Sequence, residues 1–488
     1  MNSHLIKSSA RLFTSVLLVM TISSPAYSQT LTLEQVLQNV IDHYPSIRKA
    51  SIQVERAKQE SAKIDSTLGW QLGAQAGISR NVSPFGFASD KIDASGSLSH
   101  QLESGSTLSV DATLSHEDAE SSFGTLPNPA TTTSVNLNFR EKLGQGADNP
   151  SFNEAKTSAE AGVVIVSAEK EKLYDQLAGN VIELYLSAAI TQARISNISN
   201  TVSRTKRLQS FIKNREKFGI TEEKDTLQVN AQLVGQQAEL SGLKILWQKQ
   251  RIALNRLMGV AAGSDFGPVI VYETDEGKTF EEVYADARNY SPDLKAIDGR
   301  ILQADSAIRI QRDANKDNLD LILFIGARNQ SGDSTVGSVN ESDLVGGARL
   351  EFSQNQDKSG LDAQMYQSQL DRSAAIEDKR QILEDLHYDI SSLIAEIEAG
   401  YEALSLYKQS VSSEDEKLKE AEKRYKTGRA DTDQLIQFES QLSIAELSLE
   451  LQQIELIRRS LTLQLKQGKL WASIKRHEIE NYLAEDEL

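Results

Sequence analysis

The chain contains no cysteine and only 8 prolines in 488 residues. Without cysteine there is no disulfide framework, no thiolate metal site and no lipid anchor on a thiol. So little proline, among long stretches rich in Leu, Ala, Gln, Glu and Lys, argues against a string of compact domains and for very long helices. Beyond residue 28 no stretch approaches ~18 consecutive apolar residues, so no transmembrane helix is expected; an exported chain can still span an outer membrane as a β-barrel, whose sequence signal is much weaker. Catalytic signatures are missing too: there is no P-loop, no Gly-x-Ser-x-Gly and no His-Glu-x-x-His. The 6 histidines are scattered singly, so spacing builds no metal set. No catalytic residue, cofactor or metal is expected, and any work the protein supports must draw energy from a partner.

The N-terminus reads as a secretory signal over residues 1–28. Lys7 and Arg11 form a positive region, Leu12 to Ile22 a mainly apolar run of 11 residues, and Ala26-Tyr27-Ser28 a cleavage site with small residues two apart. Its removal leaves 50 basic against 69 acidic side chains, a net charge of −19. Nucleic acid is therefore not an expected partner, because phosphate contacts need clustered Lys and Arg. An acidic wall facing a lumen would favour cations.

The chain repeats itself. Thr32-Leu33-Glu34-Gln35-Val36 leads to Tyr44-Pro45, and Thr279-Phe280-Glu281-Glu282-Val283 leads to Ser291-Pro292, with Thr 13 residues before Pro in both and an offset of 247. Arg215 to Gly219 matches Arg424 to Gly428 at an offset of 209, which persists from Gln232-Leu233 to Gln441-Leu442 and from Gly259 to Gly468. This is a tandem duplication, with halves at 29–262 and 279–470, a linker at 263–278 and a tail at 471–488.

Each half opens with a helical pattern, at 32–66 and 279–316, behind a Thr placed as N-cap. Alternating sequence follows within 68–141 and 317–354: Trp70, Leu72, Ala74, Ala76 and Ile78; Leu108, Val110, Ala112 and Leu114; Val135, Leu137 and Phe139; then 319 to 327 and 344 to 352 in the second half. Period two with one apolar face is strand sequence, and Ser, Asn, Asp and Gln on the other face suit a wet lumen. Long helices come next, at 152–214 and 357–424; Leu173, Leu177, Val181 and Leu184 show the spacing, and ~65 residues reach about 100 Å. Shorter helices return at 222–258 and 431–467, the second with a heptad-like seam through Leu435, Phe438, Leu442, Ala445 and Leu449. From Pro45 to Arg215 is 170 positions, but from Pro292 to Arg424 only 132. The surplus of 38 residues falls among the strands, where Glu103-Ser104-Gly105-Ser106 reads as a turn. One extra hairpin accounts for it, giving four strands in the first half and two in the second.

So few strands cannot close a wide barrel, and an open sheet in lipid leaves edge N–H and C=O groups unpaired. Several copies must contribute. The order helix, strands, long helix, Gly turn, returning helix, given twice from about Leu31 to Trp471, resembles the TolC-like outer-membrane efflux family. The Thr…Pro openings, the paired Arg-x-x-x-Gly turns and Leu257-Met258-Gly259 carry the likeness. It implies a mainly α chain with a membrane β-barrel portion, in which a trimeric α-helical barrel is continuous with a shared transmembrane β-barrel. It further implies a passive outer-membrane channel reaching into the periplasm of a Gram-negative bacterium, serving tripartite efflux or type I secretion. The partners implied are two further copies of the chain, outer-membrane lipid, a periplasmic adaptor (membrane fusion protein) and an inner-membrane transporter. The standard barrel of the family has twelve strands; the extra hairpin leaves open an 18-stranded barrel or a hairpin packed outside. An exported structural or adhesive coiled-coil protein is the alternative, though it needs no duplicated hairpins.

The resemblance also implies roles at the periplasmic tip. Arg215, Gly219, Arg424 and Gly428 would dock the adaptor. A gate link would join Tyr425, three residues before the second glycine, to Asp225, six after the first. Where some relatives place inward acids, this chain has Gln434 and Gln437. Asp431 and Asp433 stand nearby in another register, and Arg429 stands one position before the Arg of some relatives. An acidic constriction is thus not assured by these residues.

Overall fold

The computed structural model describes residues 29–82, 87–120, 126–219, 222–268, 279–427, 429–471 and 474. The expected signal segment, Gly428, most of the linker and most of the tail lie outside the described residues. In chain order the elements are β1 (Gln29–Leu31), α1 (Leu33–His43), α2 (Pro45–Asp65), β2 (Trp70–Val82), β3 (Ala88–Gln101), β4 (Thr107–Ala119), β5 (Ala130–Lys142), α3 (Pro150–Lys217), α4 (Glu223–Leu257), β6 (Phe266–Pro268), α5 (Phe280–Tyr290), α6 (Pro292–Ala314), β7 (Asn318–Ser334), β8 (Gly337–Ser353), α7 (Ser359–Lys426) and α8 (Thr432–Lys466).

The opening segments, read from sequence as single helices, are each two. Pro45 and Pro292 start new helices at their first positions, and the residues before them, Tyr44 and Ser291, are not helical. A proline ring removes an amide donor and opposes helical backbone in its predecessor. The Thr caps form as reciprocal capping boxes, Thr32 with Gln35 and Thr279 with Glu282. The duplication extends to packing. Gly259 (φ 69°) ends α4 with the ring-bearing carbon of His43 2.9 Å from where a side chain would begin; Gly468 (φ 71°) follows α8 with the Tyr290 ring only 2.3 Å away. His43 and Tyr290 are themselves equivalent at the 247 offset. Each half thus closes its returning helix on the last residue of its own first helix.

Both long helices have 68 residues and both returning helices 35, so α3 and α7 each run about 100 Å. No described helix is long and apolar enough to cross a membrane. Around the middle of the molecule, α1 buries Val36, Leu37 and Val40 with Leu177, Val181 and Tyr185 of α3, while Trp471 and Phe266 close the cluster. Four contacts there were not legible in sequence. β1 and β6 form a short parallel pair, and the Tyr185 hydroxyl donates to the Leu31 carbonyl at 2.8 Å. Asp175 gathers the Tyr290 hydroxyl and the Trp471 indole N–H, each at 2.8 Å.

The large sheet has six strands in the order β2-β3-β4-β5-β7-β8, antiparallel throughout. Four come from the first half and two from the second. Leu72, Leu98, Val110, Leu137, Ile325 and Gly346 form one row across all six; the neighbouring row on the opposite face is Gly73, Ser97, Asp111, Asn136, Gly326 and Val345. Alternation along each strand therefore produces one largely apolar and one largely polar face across the whole sheet. The apolar face is bare: Leu72, Ile78 and Leu344 are 82%, 83% and 86% exposed.

Candidate functional site

The helical hairpins reverse at one end of the molecule, and the residues singled out from sequence collect there. α3 ends with Phe218, whose N–H bonds to the Arg215 carbonyl, and Gly219 (φ 69°), whose N–H bonds to that of Glu216 at 2.8 Å. A left-handed residue in this position suits glycine because a side chain would meet its own backbone. At the end of α7 the Arg429 N–H reaches back to the Arg424 carbonyl at 2.9 Å, the long bond that closes a helix C-terminus.

The two duplicated arginines occupy different surroundings. Arg215 is half-buried: its guanidinium donates to the Tyr425 carbonyl at 3.0 Å and lies 5.4 Å from the Tyr425 ring centre and 5.7 Å from that of Phe211. Arg424 is exposed and, among the described residues, pairs along its own helix, with Glu420 at 3.2 Å. The first hairpin therefore grips the second through Arg215, while Arg424 points its charge outward.

Tyr425 is 5% exposed, packed with Ile212, Val229, Leu418 and Leu435 in a small core joining all four helices. Its hydroxyl shares a 3.0 Å bond with the buried Thr432 hydroxyl. The single chain thus brings Tyr425 to Thr432 rather than to Asp225, which sits half-buried in the first turn of α4. The equivalent position to Tyr425 in the first half is Glu216, which accepts from the Thr226 hydroxyl at 2.5 Å. Asp431 caps α8 by accepting from the Gln434 N–H at 2.7 Å, and Asp433 accepts from the Gln228 amide of α4. Both acids are engaged. Gln434, Gln437 and Arg429 present exposed side chains.

A feature not singled out from sequence lies further up α8. Glu439, 4% exposed, faces Arg204 of α3 at 3.4 Å, and the same guanidinium reaches Glu446 at 3.2 Å. Burial pushes the Glu439 carboxyl up from its ordinary 4.5 to about 7, against the opposing pull of Arg204. A few residues along, Asn197 and Thr201 exchange hydrogen bonds with Ser443 at 2.8 to 3.0 Å. A cleft of about 260 Å³ opens beside Arg204, Arg207, Glu422, Tyr425 and Glu439. The helical period does signal this: Leu435, Glu439 and Leu442 share one face, so the seam that buries leucine also buries the acid. Among the described residues, no group of three His, Cys, Asp or Glu could hold a metal ion.

No family profile and no curated protein matches this chain in sequence. Solved structures do match in shape. VceC, an outer membrane protein of Vibrio cholerae, is 17% identical with a TM-score of 0.65, over 89% of this chain and 96% of VceC. The CmeC outer membrane channel of Campylobacter jejuni is 12% identical with a TM-score of 0.63, over 100% and 97%. The open state of the MtrE outer membrane channel of Neisseria gonorrhoeae is 15% identical with a TM-score of 0.61, over 91% and 90%. The chain has the TolC-like outer-membrane channel fold across nearly its whole length.

Proposed function

We propose that this chain is the outer-membrane duct of a Gram-negative export system, working as a trimer in tripartite efflux or type I secretion. The observation that carries this reading is one chain holding both a six-stranded sheet, apolar on one face and open at both edges, and two helices about 100 Å long that turn back into shorter ones. Neither part is satisfied alone. The sheet needs lipid on its apolar face and strands on its edges; the helices need neighbours along their seams. A ring of copies supplies both, with the sheet in the outer membrane and the hairpins in the periplasm.

The protein itself supplies a passage and no driving force, so an inner-membrane transporter does the work and a periplasmic adaptor bridges to the tip. Arg424, Gly219, Gly428 and the exposed Phe218 make the surface for that adaptor. Arg215 serves docking indirectly, by holding the two turns together. The gate is the tip core: opening would separate α7 and α8 from α3 and break the Arg215–Tyr425 and Arg204–Glu439 contacts. Asp225 and Tyr425, with Arg429, Asp431, Asp433, Gln434 and Gln437, line this region.

Purified protein in a planar lipid bilayer tests the reading. Discrete conductance steps are expected, small with the tip intact and larger when Arg215→Ala and Tyr425→Phe are combined. A bilayer that stays silent with both proteins, at protein levels shown to insert, would contradict the duct.

A further inference from the structure

We infer that the extra hairpin is part of the pore wall, and that β8 of each copy pairs antiparallel with β2 of the next to close an 18-stranded barrel. This rests on the trimeric duct proposed above and adds the pore's construction and width to it.

Strand order is the first ground. The surplus hairpin is not laid over the sheet; all six strands are joined in line, with β2 and β8 at the two edges. Directions alternate along the order, so β2 and β8 run opposite ways. A β8 edge therefore meets the β2 edge of a second copy as an antiparallel pair, with every backbone group in lipid satisfied.

Chemistry of the faces is the second. β2 and β3 continue the apolar band of the other strands through Leu72, Ile78, Ile92 and Leu98, matched in register to β4 by Leu98↔Val110 and Ala94↔Leu114. Their opposite face carries Gln75, Lys91, Asp93, Ser95 and Ser97. A hairpin packed against the outside of a smaller barrel would press one of these faces into the wrong medium, polar side chains into hydrocarbon or apolar ones away from it. Only a place in the wall gives each face its solvent. The strand length fits as well: 13 residues of β2, tilted about 40°, rise about 33 Å, enough for a hydrocarbon layer of about 30 Å.

Ring geometry is the third. Each copy brings four long helices (α3, α4, α7, α8) to the helical barrel and six strands to the sheet. Helices about 9.5 Å apart occupy an arc of about 38 Å per copy. Strands about 4.8 Å apart and tilted about 40° take about 6.3 Å each along the ring, so six also occupy about 38 Å. The two rings then meet at the same circumference without a funnel. With three copies the backbone diameter is about 36 Å, against about 24 Å for a twelve-stranded ring at the same tilt.

Disulfide trapping tests this on a chain with no native cysteine to interfere. Gln75→Cys on the polar face of β2 is combined in turn with Asp343→Cys, Val345→Cys, Gly347→Cys, Arg349→Cys and Glu351→Cys on the same face of β8. Oxidised in outer membranes and then heated in SDS, at least one pair is expected to give covalent dimers and trimers that reductant dissolves, while the single variants run as monomers. If all five pairs still form SDS-resistant trimers before heating yet run as monomers afterwards, the 18-stranded closure is wrong and the duct reading stands. If the unmodified protein yields no trimer at all, the duct reading itself fails.

Discussion

The two halves of this chain start from one plan and diverge where they meet different surroundings. Their helices agree in length to within two residues at every step, 11 and 11, 21 and 23, 68 and 68, 35 and 35. Their burial does not agree. α3 buries eighteen residues and α7 only eight, because α3 packs against α2, α4, α6 and α8 within the chain while α7 leaves more of its surface bare. α3 is therefore the inner support of the protomer. α7 holds fewer internal contacts and keeps more bare surface, the kind of element from which moving parts are drawn.

The glycines that close the returning helices offer the largest contrast. Gly468→Ala must carry a left-handed backbone and displace the Tyr290 ring, which is held by Asp175. We expect it to lower the local stability of α5 by about 3 kcal/mol. Gly259→Ala approaches the His43 Cβ less closely, at 2.9 Å, and should cost about 1–2 kcal/mol at α1. Hydrogen exchange of the two segments compares them directly; equal effects would mean that Tyr290 is not pinned.

Next in size is the arginine pair. Arg215→Ala removes a hydrogen bond and a stacked cation from Tyr425 and should speed exchange over residues 425–432 by an amount worth about 1–3 kcal/mol. Arg424→Ala, at an exposed side chain paired along its own helix, should change it by less than about 0.5 kcal/mol. Reversed magnitudes would break the assignment of grip to one half and outward surface to the other.

Tyr425→Phe should cost about 1 kcal/mol by leaving the buried Thr432 hydroxyl unpaired. The same exchange experiment reads it, and a double change with Thr432→Val should recover part of the loss.

A pH-dependent effect is expected at Glu439, faced by Arg204 and Arg207 of α3, Glu422 of α7 and Glu446 of its own helix. A carboxyl held at about 7 when folded, against 4.5 ordinarily, binds its proton more tightly in the native state. Its stabilising contribution is complete below about 4.5 and fades as pH rises to about 7. Tip stability followed by exchange from pH 5 to 8 should fall through that window in the native protein and stay flat in Glu439→Gln. An unchanged slope in the variant would assign the titration elsewhere.

Much of this was legible in the sequence because period and punctuation agreed. Alternation at 70–78 and 319–327 marked strands, matched glycines marked helix ends, and the 38-residue surplus gave the extra hairpin. β3 was the weakest strand to see, since its outward face passes through Ala94 and Gly96 between Ile92 and Leu98. The splits at Tyr44 and Ser291 were signalled by proline but hidden by the helical pattern on both sides. At the tip, residue type located the turn but not the environment. Arg215 and Arg424 are the same letter in the same motif, and only tertiary packing makes one a clasp and the other a surface. Glu439 lies on a leucine seam, where spacing shows that it is buried but not that Arg204 waits opposite.

The most direct test of a duct shared between copies is the native mass of the protein extracted from outer membranes in mild detergent, with and without heating in SDS. An SDS-resistant species of three times the chain mass, falling to a single chain on heating, is the predicted result. A soluble periplasmic monomer or dimer would contradict it and point to an exported coiled-coil protein instead.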